Sequence, residues 1–132
     1  MAYVQDNSNP VARRVTDCAV RAVGYALGID WETAYFLIAI NGASMGDMME
    51  RNSVWGSVLR QAGYKRRELP SNCPDCYTVA DFAADHPNGT FILVQSGQSS
   101  QDGHVVTLIN GNWIDTWDCG SEIVEYYWYK ED

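Results

Sequence analysis

Cys18, His104 and Asp115 have the types and the settings of a thiol nucleophile, its base and the group that orients the base. A thiol attacks a carbonyl carbon as the thiolate, so it needs a base within reach, and the base needs a third group to fix its ring. Cys18 follows Thr16-Asp17 and opens the stretch Cys18-Ala19-Val20-Arg21-Ala22-Val23-Gly24-Tyr25-Ala26-Leu27, in which Arg21 is the only charge. A helix apolar on every face belongs in the interior. Yet its first turn carries a thiol, at the end where four backbone N–H groups lack helical partners. That end attracts negative charge, and a thiolate is one.

The chain has two histidines. His86 precedes Pro87 at a helix end and reads as a cap or surface residue. His104 opens a strand directly after the polar loop from Gly97 to Gly103, the kind of place where sites are built and where a loop can act as a lid. Asn110-Gly111 between two apolar runs signals a two-residue hairpin. In that register Ile109 faces Asn112, Val106 faces Asp115 and His104 faces Trp117. A period of two then puts His104, Val106, Leu108, Trp113, Asp115 and Trp117 on one face. Asp115 lies diagonally across from His104. A one-residue slip would give its place to Asp118, which stands as the alternative. Arg21, four residues after Asp17, is spaced for a structural ion pair with it.

The elements that must hold these groups follow from the pattern. The 132 residues are the length of a single domain, 1–132. Residues 1–15 read as extended or irregular. Helices are expected over Asp17–Leu27 with Gly28 as the stop, over Trp31–Ile40 ended by Asn41-Gly42, and from Val54 to Ala62 with Ser53 as the cap. In the second of them Trp31, Tyr35 and Ile38 share a face. Tyr64–Leu69 reads as an edge strand, and Thr78 caps a short helix ending at His86. Strands at Thr90–Gln95, His104–Ile109, Asn112–Thr116 and Ile123–Tyr129 close the chain. Helices first and antiparallel strands last give an α+β class.

Seventeen acidic residues against nine basic ones leave a net charge of −8. Nucleic acids and anionic membranes need basic surfaces, so neither is an expected partner. The one basic cluster, Lys65-Arg66-Arg67, reads as a solvated strand face. Apolar runs are too short for a membrane span and the polar start is no secretory signal, so the expected location is the cytoplasm, where cysteines stay reduced. Cys73-Pro74-Asp75-Cys76 has the spacing of half a zinc site, with Cys119 and His86 as conceivable completing ligands. A redox dithiol is the other special reading, and ordinary loop thiols the plain one.

A cysteine at a helix start, then a histidine opening a strand, then an acid on the next strand: this order resembles the papain-like cysteine peptidase superfamily, including its small bacterial and phage-borne members. The matching stretches are Asp17-Cys18-Ala19-Val20-Arg21-Ala22, Gly103-His104-Val105-Val106 and Gly111-Asn112-Trp113-Ile114-Asp115-Thr116-Trp117, and nearly the whole chain fits. The resemblance implies N-terminal helices, one of them central and buried, packed on a C-terminal antiparallel sheet. It implies a cysteine peptidase or amidase/isopeptidase acting on a peptide or protein through a thioester, with Cys18 as nucleophile, His104 as base and acid, and Asp115 as orienter. It implies no cofactor and no metal, and the host cytoplasm if a phage encodes the chain. Papain has a glutamine a few residues before its cysteine that lines the oxyanion hole, whereas six residues before Cys18 this chain has Ala12. Gln5, Asn7 and Asn9 are the candidate donors. That departure keeps open a transglutaminase-like enzyme or acyltransferase, and an inactive papain-like fold that serves as a protein-binding module or phage-encoded inhibitor.

Overall fold

The computed structural model describes residues 2–69, 77–95 and 103–130. Cys73, Cys76 and most of the Gly97–Gly103 loop lie outside them. The class is α+β, with four helices and a six-stranded sheet among the described residues. In chain order the elements are β1 (Tyr3–Gln5), α1 (Cys18–Leu27), α2 (Trp31–Met45), α3 (Asn52–Gln61), β2 (Tyr64–Glu68), α4 (Val79–Asp85), β3 (Thr90–Gln95), β4 (His104–Ile109), β5 (Asn112–Asp115) and β6 (Val124–Lys130).

The sheet runs β1-β5-β4-β3-β6-β2. It is mixed, not purely antiparallel, because β1 pairs with β5 in parallel. Nor is it purely C-terminal: β1 comes from the segment read as irregular, and β2 forms the far edge against β6. Three residues of strand carry too little pattern to be seen in a sequence. The hairpin register is the expected one, with Ile109 opposite Asn112. Asn110 and Gly111 both take positive φ, 49° and 81°. A type I′ turn requires that, and it matches the twist of the flanking strands.

Alternation along the strands divides the core in two. Ile92, Val94, Val105, Tyr126 and Trp128 face α1, α2 and α3. Leu93, Val106, Leu108, Trp113 and Tyr127 face α4 through Val79, Phe82 and Ala83. Helix α1 is anchored by its buried middle, Val20–Gly24, and by a bond from Thr107 Oγ1 to the Ala22 carbonyl oxygen, 2.8 Å. Its stop at Gly28, in the left-handed region, is as expected.

Two helix boundaries differ from the sequence expectation. α2 continues past Asn41-Gly42 to Met45. Asn41 Nδ2 donates to Ser57 Oγ and Gln61 Oε1 of α3, and Gly42 is buried where a Cβ would sit 2.9 Å from the Asp47 carbonyl oxygen. Both residues serve helix packing, so neither ends the helix. α3 starts at Asn52, and Ser53 lies inside it. Asn52 bonds Trp55 Nε1 and the Tyr126 hydroxyl, which ties this helix start to β6. α2 is apolar nearly all round, but only Ala34, Ile38 and Gly42 are buried. Tyr35 stacks on Trp31 at 5.2 Å yet stays 38% exposed, and Phe36 and Ile40 are each 63% exposed.

α3 approaches the sheet at Gly56, where a Cβ would meet Trp128 Cζ2 at 2.8 Å. Trp128 is fixed in the core at 2% exposure and cannot yield. Gly56→Ala is therefore expected to lower stability by about 1–3 kcal/mol through overpacking, read as a lower urea midpoint.

Candidate functional site

His104 is the first residue of β4 and Asp115 the last of β5, so the antiparallel hairpin brings them to one end of the sheet. His104 Nε2 lies 2.5 Å from Asp115 Oδ2. The Trp117 ring packs on the imidazole with centroids 4.9 Å apart. Cys18 stands at the start of α1, and both its thiol and that of Cys119 are near enough to the His104 ring to act on its pKa. The structure thus brings together Cys18, His104 and Asp115. Asp118 is placed elsewhere: its Oδ1 accepts from Trp113 Nε1 and from the Gly120 N–H, both at 2.9 Å. Asp118→Asn keeps that acceptor, and the rate of Cys18 alkylation is expected to stay within about twofold of wild type.

Asp115 is fully buried and is contacted from both sides of the sheet. From α1, Arg21 Nη1 donates to its Oδ1 at 2.8 Å, while Arg21 Nε donates to Asp17 Oδ1 at 2.9 Å. Trp31 Nε1 completes Asp17 by donating to Oδ2 at 3.0 Å. The Cys119 thiol donates to Asp115 Oδ2 at 3.4 Å, and Gln95 Nε2 to the Cys119 sulfur at 3.6 Å. Gln95 pairs with His104 across β3 and β4 and is buried with its Oε1 unpartnered.

Burial by itself would push the His104 pKa down. Its bonds to Asp115, Cys119 and Cys18, with the charge of Asp115, outweigh that and push it up to about 11. Burial would likewise raise the Asp115 pKa, but the bond and charge of His104 and the bond from Arg21 hold it below the usual carboxylate range. The resting pair is an imidazolium and a carboxylate. Burial pushes the Cys119 thiol up, so Cys119 remains an S–H donor.

The oxyanion-hole candidates Gln5, Asn7 and Asn9 lie on β1 and the loop that follows it. Gln5 is exposed at the end of β1, in register with Asp115. Asn7 Nδ2 donates to the Arg13 carbonyl oxygen, and Asn7 Oδ1 accepts from the Asn9 N–H. Asn9 is buried and its Oδ1 accepts from the Val11 and Arg13 N–H groups. Both asparagines shape the loop that leads to Cys18. His86 caps α4, with Nδ1 on the Phe82 carbonyl oxygen at 2.9 Å and its ring stacked on Phe82. Cys119 belongs to the His104 cluster. The zinc reading's other ligands, Cys73 and Cys76, lie outside the described residues.

His104, Asp115 and Cys119 offer ligand atoms all within 4.8 Å of one another. A cation among them would have to break the His104–Asp115 bond and share its carboxylate with the Arg21 guanidinium, so the cluster is better matched to protons than to a metal.

Three contributors were invisible in the sequence reading: the Arg21–Asp115 contact, Gln95 and Cys119. Arg21 had a signal, being the lone charge in an apolar helix. Gln95 had one too, as the polar residue closing the apolar run Phe91–Val94. Cys119 had none. No family model matches the chain, and neither the curated proteins nor the solved structures hold a match to it. Among the described residues no helix is long and apolar enough to cross a membrane.

Proposed function

We propose that this chain is a thiol hydrolase of the papain-like kind, a cysteine peptidase or amidase/isopeptidase. The observation that carries the reading is the His104 imidazole bonded to Asp115 through Nε2 at the end of the sheet, with the Cys18 thiol at the start of α1 near enough to act on its pKa. In this mechanism Cys18 attacks as the thiolate beside the His104 imidazolium, its proton having passed to water, and Asp115 fixes the ring and stabilises its charge. The thiolate attacks an amide carbonyl, the C–N bond breaks, and the imidazolium gives its proton to the leaving amine. Water then adds to the thioester, giving the acid and free Cys18. An amine in place of water would make the same site an acyltransferase. A site run by a free thiol fits the reducing cytoplasm.

The test is reaction of the intact protein with a peptide carrying a thiol-reactive carbonyl. Labelling of Cys18 by mass, lost in His104→Ala, supports the reading. Equal labelling in the variant defeats it.

A second reading, a partner-binding module on the same framework, draws on the exposed apolar side chains of α2, with Phe36 and Ile40 each 63% exposed. Binding of that kind would survive Cys18→Ala.

A further inference from the structure

Arg21 and Asp17 have no part in the thioester chemistry, yet with Asp115 they are the chain's most buried charges among the described residues, at 5%, 6% and 0% exposure. One guanidinium serves two carboxylates, 2.9 Å from Asp17 and 2.8 Å from Asp115. That leaves one buried negative charge over, and burying an uncompensated charge is costly. The imidazolium of His104 completes the balance. The guanidinium has a second effect. Asp17 occupies the N-cap of α1, from which an aspartate ordinarily accepts bonds from the first-turn N–H groups. It makes no such bond. Its two oxygens are held instead by Arg21 and Trp31.

We propose that Arg21 is a positioning residue of the site: it anchors Asp115 on one side and draws the Asp17 carboxylate off the helix start on the other. Negative charge on the Cys18 sulfur, and then on the substrate oxygen, meets first-turn N–H groups that no cap has consumed. The inference rests on Cys18 being the nucleophile. Cys18 and Arg21 stand three apart and so are neighbours on the helix surface. One rigid element therefore carries both the thiol and the clamp on the acid. An arginine suits the task because its planar fork reaches two carboxylates at once, which a lysine point charge does not.

The charged and titratable groups around this turn are few. Asp17 and Arg21 lie at α1 itself, His104 comes from β4, Asp115 from β5 and Cys119 from the chain after it. Asp6, following β1, bonds the Tyr25 hydroxyl, and Arg14 bonds the Thr116 carbonyl oxygen.

The test follows the rate of Cys18 alkylation by iodoacetamide from pH 4 to 9, with the alkylated site read by mass and folding by circular dichroism. In Arg21→Gln the freed carboxylate opposes the thiolate, and the acid limb is expected to move up by about one pH unit, a tenfold slower reaction at pH 6. Arg21→Lys is expected to fall between that variant and wild type. Asp17→Asn keeps Arg21 and is expected to move the limb down. Asp17→Asn combined with Arg21→Gln, which removes the charges together, is expected to return it toward wild type. A purely structural pair would leave the limb in place in every variant that folds. Should Arg21→Gln not fold, Asp17→Asn decides, and an unmoved limb there overturns the proposal. A fast wild-type thiol with unmoved limbs overturns the role of Arg21 alone. A wild-type Cys18 no faster than a free thiol overturns the nucleophile and this role with it.

Discussion

At pH 6 the Cys18 thiol is expected to react with iodoacetamide on the order of 10- to 100-fold faster than a small free thiol, and His104→Ala is expected to abolish the advantage. A free thiol is under about 1% ionised at that pH. An imidazolium and a helix start both favour negative charge on a thiol, and the gain in thiolate outweighs the penalty for its lower intrinsic nucleophilicity. The imidazolium is available because Asp115 holds it there. On a cleavable substrate Cys18→Ala should cost at least about 10⁴-fold in turnover, the scale on which removal of a catalytic nucleophile is felt. Cys119, fully buried, offers an internal comparison: it should remain unlabelled while the fold is intact. Rapid labelling of Cys18 in both wild type and His104→Ala would remove the base from the mechanism.

Asp115→Asn is expected to have the largest effect on stability of any single change at the site. It leaves the buried Arg21 guanidinium with one carboxylate in place of two and the His104 ring without its anion. Breaking a buried ion pair in this way costs about 3–5 kcal/mol. The pH dependence fixes the sign. The folded pKa of His104 is raised, so its contribution to stability is fully present below the ordinary histidine value near 6.5 and is lost as pH rises toward about 11. The folded pKa of Asp115 is lowered, so its contribution is present above the ordinary aspartate value near 3.9 and is lost as pH falls through the lower folded value. The gap in urea midpoint between wild type and Asp115→Asn should therefore be widest near pH 5–6 and should narrow toward pH 10 and toward pH 2. A gap that is flat across that range would mean that the pair is not ionised. With the anion gone, burial opposes the His104 imidazolium with only the two thiols to offset it. Cys18 alkylation at pH 7 should then fall to the level of His104→Ala.

The site was legible where it depends on local rules. Asn110-Gly111 imposes a two-residue turn, the turn fixes the register, and the register with a period of two puts His104 and Asp115 on one face. The first three helices were legible from their apolar runs, and the short α4 from Thr78, which with Asp81 forms its capping box. What could not be seen depends on contacts between distant segments. Nothing local to Tyr3–Gln5 says that it will lie parallel to β5. Nothing local to Cys119 says that its thiol will point at Asp115. Arg21 was visible as an odd charge and as a partner for Asp17, but its second partner lies 94 residues away and on the sheet. Asn41-Gly42 misled because the residues that end helices also let helices pack closely, and only the neighbour decides which role they take.

The two halves of the site lie at opposite ends of the chain, with Cys18 on α1 and its base and acid on the β4–β5 hairpin. A ribosome that has just added Cys18 must add 97 more residues (115 minus 18) before Asp115 exists. At about 5–20 residues per second this takes roughly 5–20 seconds. For that interval the nascent chain displays a thiol with no imidazole to ionise it and no acid to aim the imidazole. On the proposed reading, synthesis order therefore withholds the partners of the thiol until β5 is in place.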